Sequence, residues 1–403
     1  MKLIAWTTFC FLIVTTVHAD ISSSAQSAYI TQAAADAPGD SQVIFVLDNR
    51  GRVFGFVNDP FHPTFISNFT RIKTPEKIKY IVPYVSIDAN GDVYTWEQGD
   101  YESVEGHIEH ITFTDAHKLA GVSNVSEIVF NKRHYAAISN GSDVYVWDSG
   151  GSDKFRYQRP DSKVQTIERK PTEPRRIFSD KDVKKVSINS WSVMVYQHGH
   201  EGERPFLLGF DTFFGYLILM KDGRLVGINT DSNGQPLLGK TLDLNPLEIG
   251  KFIGAKDILA SGGSIAVIYD DGTTSYVNHC EIQEKDLSGN WVTKKGEHQA
   301  KGNITDVVEI SKFFEGSTPN SYIRNDGIVW YEWPNTFRRW DNGCSPIVRN
   351  ETKPIGFSPS FSTTIHKAIY IYGNLMIDEE HHLWTSVYSF KQPYDLIPIS
   401  LPN

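Results

Sequence analysis

The chain has 403 residues, 40% of them hydrophobic and 12% aromatic, ample for a packed core in one large repetitive domain or two or three ordinary ones. Its formal net charge of −9 argues against general nucleic-acid binding, which needs a basic face to meet phosphates. A nucleophile elbow, a phosphate-cradling Gly-Lys-Ser/Thr loop and a dinucleotide fingerprint are all absent, so no cofactor is expected.

Residues 1–19, MKLIAWTTFCFLIVTTVHA, read as a signal peptide. Lys2 precedes an apolar stretch from Leu3 to Val17, and Val17 and Ala19 place small side chains where a signal peptidase reads them, so cleavage is expected before Asp20. The apolar stretch is about 15 residues, short of the roughly 20 a spanning helix needs, and no later stretch approaches that length. The mature chain is therefore expected in a secreted, periplasmic or extracellular setting without a membrane span. Residues 20–40, rich in Ala and Ser, read as a linker, and residues 41–403 as a single domain.

Within that domain seven segments share one frame: an apolar strand, an acidic or amide turn, and a second apolar strand. They are FVLDNRGRVFGF (45–56), VSIDANGDVYTW (85–96), AAISNGSDVYVW (136–147), LILMKDGRLVGI (217–228), AVIYDDGTTSYV (266–277), SYIRNDGIVWYE (321–332) and LMIDEEHHLWTS (375–386). Each reads as a β-hairpin whose turn favours positive φ. Gly51, Gly91, Gly141, Gly223, Gly272 and Gly327 mark the turns, and His381 takes the seventh place. The steps of 40, 50, 82, 49, 55 and 54 residues match propeller blades except for the third. Companion strands rich in Val and Ile precede several hairpins, as at 125–130, 255–260 and 306–311, and no amphipathic helix of useful length occurs. The expectation is an all-β protein, a β-propeller of seven blades, each a four-stranded antiparallel sheet. A pair of β-sandwiches is the alternative.

The long third step contains a charged, locally basic stretch near 151–185, read as an insertion. After it, 192–197 and 205–210 read as two strands joined by HGHEGER, which favours an enlarged fourth blade over an eighth one.

The segment LILMKDGRLVGINTDSNGQPLLG resembles the repeat of the regulator of chromosome condensation family. Asn229, Gly234, Gln235, Leu238 and Gly239 stand where that repeat has its Asn-x-x-Gly-Gln-Leu-Gly corner, with extra residues between. The resemblance spans roughly residues 41–390, but the full corner appears once, so the chain resembles a degenerate member. It implies the seven-bladed propeller and a scaffold for protein partners. The family's best-known members engage a small GTPase and chromatin, and a secreted bacterial branch inhibits β-lactamases. Export argues against the nuclear, nucleotide-exchange role, and no functional residue of the family carries over. The corner itself is read as the bend from one blade to the next.

Candidate sites are few. With Cys10 in the signal, Cys280 and Cys344 remain; in an oxidising compartment they would pair, closing a loop of about 65 residues worth on the order of 4 kcal/mol, and the alternative is two buried thiols. His198, His200, Glu201 and Glu203 lack a convincing zinc spacing, as do His107, His110, Asp115 and His117, and His381-His382 reads as an exposed turn, so no metal site is expected. Trp96, Trp147 and Trp330 read as packing residues between blades. WYEWPNTFRRW differs: Trp333, Phe337, Arg338, Arg339 and Trp340 crowd aromatics and arginines of the kind found at interface hot spots, a candidate partner-binding surface. Asn-x-Ser/Thr triplets occur at Asn68, Asn124, Asn140, Asn303 and Asn350. The leading expectation is a non-enzymatic propeller presenting inter-blade loops to a protein partner. Carbohydrate binding through exposed aromatics is the alternative, and a glycoside hydrolase or lyase with carboxylates at the channel mouth is the third reading.

Overall fold

The structure is a computed structural model that describes residues 28–36, 42–58, 66–75, 77–104, 107–131, 133–155, 165–197, 206–232, 234–237, 242–261, 264–285, 291–301, 304–311, 320–332, 336–338, 345–347, 352–354, 366–373, 375–386 and 396–399. Those residues form seven four-stranded antiparallel sheets and three two-stranded hairpins, with no helix among them. The fold is a seven-bladed β-propeller.

Each blade is one uninterrupted segment. Blade 1 runs through Ile30–Asp36, Gln42–Asp48, Val53–Asn58 and Thr70–Ile72, and blade 2 through Ile78–Val82, Val85–Asp88, Val93–Thr95 and His117–Lys118. Blade 3 has Val125–Asn131, His134–Ser139, Asp143–Asp148 and Arg175–Ser179; blade 4 has Val183–Gln197, Phe206–Met220, Arg224–Ile228 and Leu247–Lys251. Blade 5 uses Ala255–Ser261, Ser264–Tyr269, Thr274–Lys285 and Trp291–Lys301; blade 6 uses Val307–Ile310, Asn320–Arg324, Val329–Glu332 and Thr352–Pro354. Blade 7 closes the ring with Ala368–Tyr372, Leu375–Asp378, Leu383–Ser386 and Leu396–Ile399.

The core lies between the blades. Side chains on a strand alternate between its two faces, so in the second strand of blade 1 Ile44 and Val46 pack on blade 7 while Phe45 and Leu47 pack on blade 2. In blade 4, Tyr216, Ile218 and Met220 meet blade 3 while Leu217 and Leu219 meet blade 5. Both faces are dry, which is why these strands read as nearly continuous apolar runs. The buried clusters fall one to each junction: 1 with 2, 2 with 3, 3 with 4, 4 with 5, 5 with 6, 6 with 7, and 7 with 1. The expected packing tryptophans sit at such junctions, Trp96 against Phe45 of blade 1 and Trp147 against Val82 and Val85 of blade 2. Trp330 packs against the junction of blades 5 and 6.

Residues 30–36 correct the linker expectation for 20–40. They form the first strand of blade 1, with Ala33 and Ala34 fully buried. Alanine has low β-propensity, so the stretch lacked a strand signal; here it lies where first strands of neighbouring blades touch and small side chains fit.

The insertion near 151–185 is also resolved more finely. Gly151–Phe155 and Gln165–Arg169 form an accessory hairpin, whereas Arg175–Ser179 is the fourth strand of blade 3 and Val183 already opens blade 4. The fourth blade is the enlarged one. Its first two strands pair from Val183–Met220 out to Gln197–Phe206, so the expected pair at 192–197 and 205–210 continues a single long hairpin.

Candidate functional site

Seven turns join the second and third strands of the blades and define one face of the ring. In each, the amide of the fourth residue bonds to the carbonyl of the first: Gly51 to Asp48, Gly91 to Asp88, Ser142 to Ser139, Gly223 to Met220, Gly272 to Tyr269, Gly327 to Arg324 and His381 to Asp378. Six have the fourth or third residue as a glycine at positive φ, and in the seventh His381 sits at φ 65°. A Cβ on Gly91 would approach Asn124 and Val125 of blade 3 to 2.7 Å, so glycine is required there by space as well as by φ. These turns lock onto the following blade: Val125 N–H donates to Gly91 O at 2.8 Å, Val307 to Gly272 at 3.1 Å and Ala368 to Gly327 at 2.7 Å. At the closing junction the His381 ring takes that part, its Nδ1 lying 3.0 Å from Ile30 O and its ring 4.0 Å from that of Tyr29. The expectation that His381 is merely exposed is corrected.

The opposite face carries the variation in length. It receives the connections between first and second strands and between third and fourth strands. Three accessory hairpins are there: Gln98–Val104 with His107–Phe113 in blade 2, Gly151–Phe155 with Gln165–Arg169 in blade 3, and Thr336–Arg338 with Ser345–Ile347 in blade 6. The long hairpin of blade 4 and the Thr274–Lys285/Trp291–Lys301 hairpin of blade 5 extend on the same side. Past the last pairing with the rest of the sheet they run from Phe206 to Gly215 in blade 4 and from His279 to Lys285 in blade 5, roughly 20–35 Å of strand. The blade 2 hairpin folds back over blade 1: Phe113 packs on Phe45 with centroids 5.4 Å apart, and Thr70 Oγ1 donates to Ile111 O at 2.6 Å.

Of WYEWPNTFRRW, Trp330, Tyr331 and Glu332 end the third strand of blade 6. Phe337 and Arg338 belong to its accessory hairpin, while Trp333, Arg339 and Trp340 lie outside the described residues. Cys280 is in the third strand of blade 5 and Cys344 lies outside the described residues, as do His198, His200, Glu201 and Glu203.

The corner at Gly227–Gly239 is not the bend between blades. It joins the third strand of blade 4 to the fourth, because Gly227 pairs with Leu247 of the same sheet. Asn229 holds it: Nδ2 donates to Phe214 O at 2.6 Å, and Oδ1 accepts from Asp243 N–H at 3.0 Å. Gly234 then packs against Leu217 and reaches Ile265 of blade 5, and its carbonyl accepts from Asn189 Nδ2 at 2.8 Å. The segment pins neighbouring blades without crossing from one to the next.

First strands face the centre of the ring. A cavity there is lined by Glu127, Asn131, Ser187, Asp257, Ala260 and Ile310, among others. Its polar groups are engaged: Lys185 Nζ meets Glu127 at 2.8 Å, Asn131 Nδ2 donates to Ile188 O at 3.0 Å, and Ser187 Oγ accepts from Ala260 N–H at 2.9 Å. Nearer the variable face sit tyrosines whose hydroxyls are held above their ordinary range by burial, Tyr84, Tyr135, Tyr370 and Tyr372, with the Asp36 charge adding to the effect on Tyr84. Asn124 and Asn140, both in Asn-x-Ser triplets, are exposed on the short-turn face.

No protein-family model matches the chain, and no curated protein matches it. Solved structures do. The chain is similar to RCC1-like propellers. Prp20p from Saccharomyces cerevisiae, whose structure was described together with its binding to Gsp1p and histones, is 16% identical, with 85% of this chain and 79% of that one covered at a TM-score of 0.47. Yeast RCC1 (Prp20) bound to Kap60 is 16% identical over 75% of this chain and 70% of that one, at 0.43. Human WBSCR16 is 13% identical over 76% of each chain, at 0.42.

Proposed function

We propose that the protein is a secreted, non-enzymatic propeller whose variable face binds a protein partner. The supporting observation is the asymmetry of the ring: short turns of one pattern on one face, and long hairpins from blades 2 to 6 on the other. Loops carried on a rigid scaffold are where binding surfaces concentrate. Phe337 and Arg338, from the aromatic and arginine-rich segment, lie in the blade 6 accessory hairpin on that face.

The test uses residues 20–403 as bait against extracellular proteins, with a glycan array in parallel. A second bait has the blade 4 hairpin shortened by joining Ser190 to its cross-strand partner Phe214 through an Asn-Gly turn. The ring should stay folded, with its thermal midpoint within about 4 °C, and partner capture should fall at least tenfold. Binding to sugars without any protein, or capture equal in both baits, would overturn the proposal. N-terminal sequencing of the exported protein should begin at Asp20.

A further inference from the structure

We infer that the junction of blades 7 and 1 carries a binding site for a divalent transition-metal ion of the zinc type, built from His366, Asp378 and Glu380, with His382 beside it. The site is on the short-turn face and stands apart from the proposed partner surface.

Asp378 is the first residue of the seventh turn and is fully buried. Its Oδ1 accepts the backbone amides of Glu380 at 3.0 Å and His382 at 2.8 Å, while Oδ2 accepts from Trp384 Nε1 at 2.8 Å. The carboxylate is thereby fixed in orientation before any ligand arrives, as outer-shell hydrogen bonds do for metal ligands. Around Oδ2 lie His366 Nδ1 at 3.2 Å and His382 Nδ1 at 3.3 Å, and Glu380 Oε2 is 3.4 Å from His382 Nδ1. Donor atoms of His366, Asp378 and Glu380 all fall within 4.8 Å of one another.

Two comparisons favour a metal over a simple ion pair. In blade 1 the equivalent turn carboxylate, Asp48, is met by the single guanidinium of Arg52, which occupies the place of His382. Blade 7 surrounds its carboxylate with two imidazoles and a second carboxylate, more donor groups than one buried charge requires. The His366–Asp378 spacing of 3.2 Å also fits, since ligands at 2.0–2.1 Å in a tetrahedron lie about 3.3 Å apart. Nitrogen and oxygen donors in this mixture suit zinc and its neighbours, whereas calcium takes six to eight oxygens.

The site joins His366, which precedes the first strand of blade 7, to the turn whose next residue, His381, touches Tyr29 and Ile30 of blade 1. An ion there would brace the closing junction.

The test is calorimetric titration of the full chain with zinc chloride, with Glu380→Gln and the double variant His366→Gln/Glu380→Gln alongside. Glu380 is 65% exposed, so its substitution leaves the fold intact. The wild type should take up zinc at this site with a rise in thermal midpoint, the single variant should bind at least tenfold more weakly, and the double variant should show no rise. Calcium in excess should not compete. No uptake by the wild type, or uptake and thermal shift unchanged in the double variant, would overturn the inference.

Discussion

At the scale of single residues, burial determines how the fold answers alkali. Tyr84, Tyr135, Tyr216, Tyr370 and Tyr372 have hydroxyls raised above the ordinary tyrosine range, chiefly by burial. In the unfolded chain the same groups titrate near 10. Between those values the folded state holds more protons, so stability is intact below about pH 10 and falls as pH rises above it. Denaturant unfolding at a series of pH values should show that decline, with one class of phenolate absorbance appearing only as the fold is lost. Ionisation of every tyrosine near 10 with the fold intact would contradict the assignment. The turn positions obey a different constraint, backbone conformation, and this is where the sequence was most readable. Acidic or amide punctuation located all seven turns, with glycine in six of them and His381 standing in its place in the seventh.

Elements were legible where both sheet faces are dry and the strands are rich in Val, Ile and Phe. They were illegible where long-range packing overrode local propensity. Ala33–Ala35 carry no strand signal, and only the crowding of first strands explains them. The corner at Gly227–Gly239 was assigned to the wrong connection because a turn signal does not say which strands it joins; the Gly227–Leu247 pairing does. His366 and Asp378 are 12 residues apart and come together only through the pairing of two strands, so no motif spacing pointed to them. The blade 2 hairpin was missed for the same reason, since its purpose lies on blade 1. A Cβ on Gly55 would come within 2.4 Å of the Phe113 ring, so that hairpin fits only over glycine. Gly55→Ala should destabilise the protein by about 1–3 kcal/mol. The cost should shrink in a Phe113→Ala background, a coupling that a double-mutant cycle measures directly. Equal costs in both backgrounds would place the strain elsewhere.

For the whole molecule, stability is shared among junctions, and the closing one depends on residues 28–36. Ile30, Ala33 and Ala35 pack with Leu375, Ile377, Leu383 and Ile399 of blade 7, while Ala34 serves the junction with blade 2. A chain beginning at residue 38 should lose cooperative unfolding and aggregate, whereas one beginning at residue 28 should melt within a few degrees of the longer protein. Differential scanning calorimetry separates the two; equal melting of both would show that residues 28–36 are dispensable.

Among the described residues every blade is drawn from one stretch of sequence, and no strand is borrowed across the closing junction. The end of the last strand, Ile399, and the start of the first, Ile30, belong to one buried cluster. Links between other blades are as short as Phe252–Gly254. The order in which the blades are threaded is therefore separable from the ring they build. Circular permutants that join residue 399 to residue 30 through such a link, and open instead between Lys251 and Ala255, should close into the same ring.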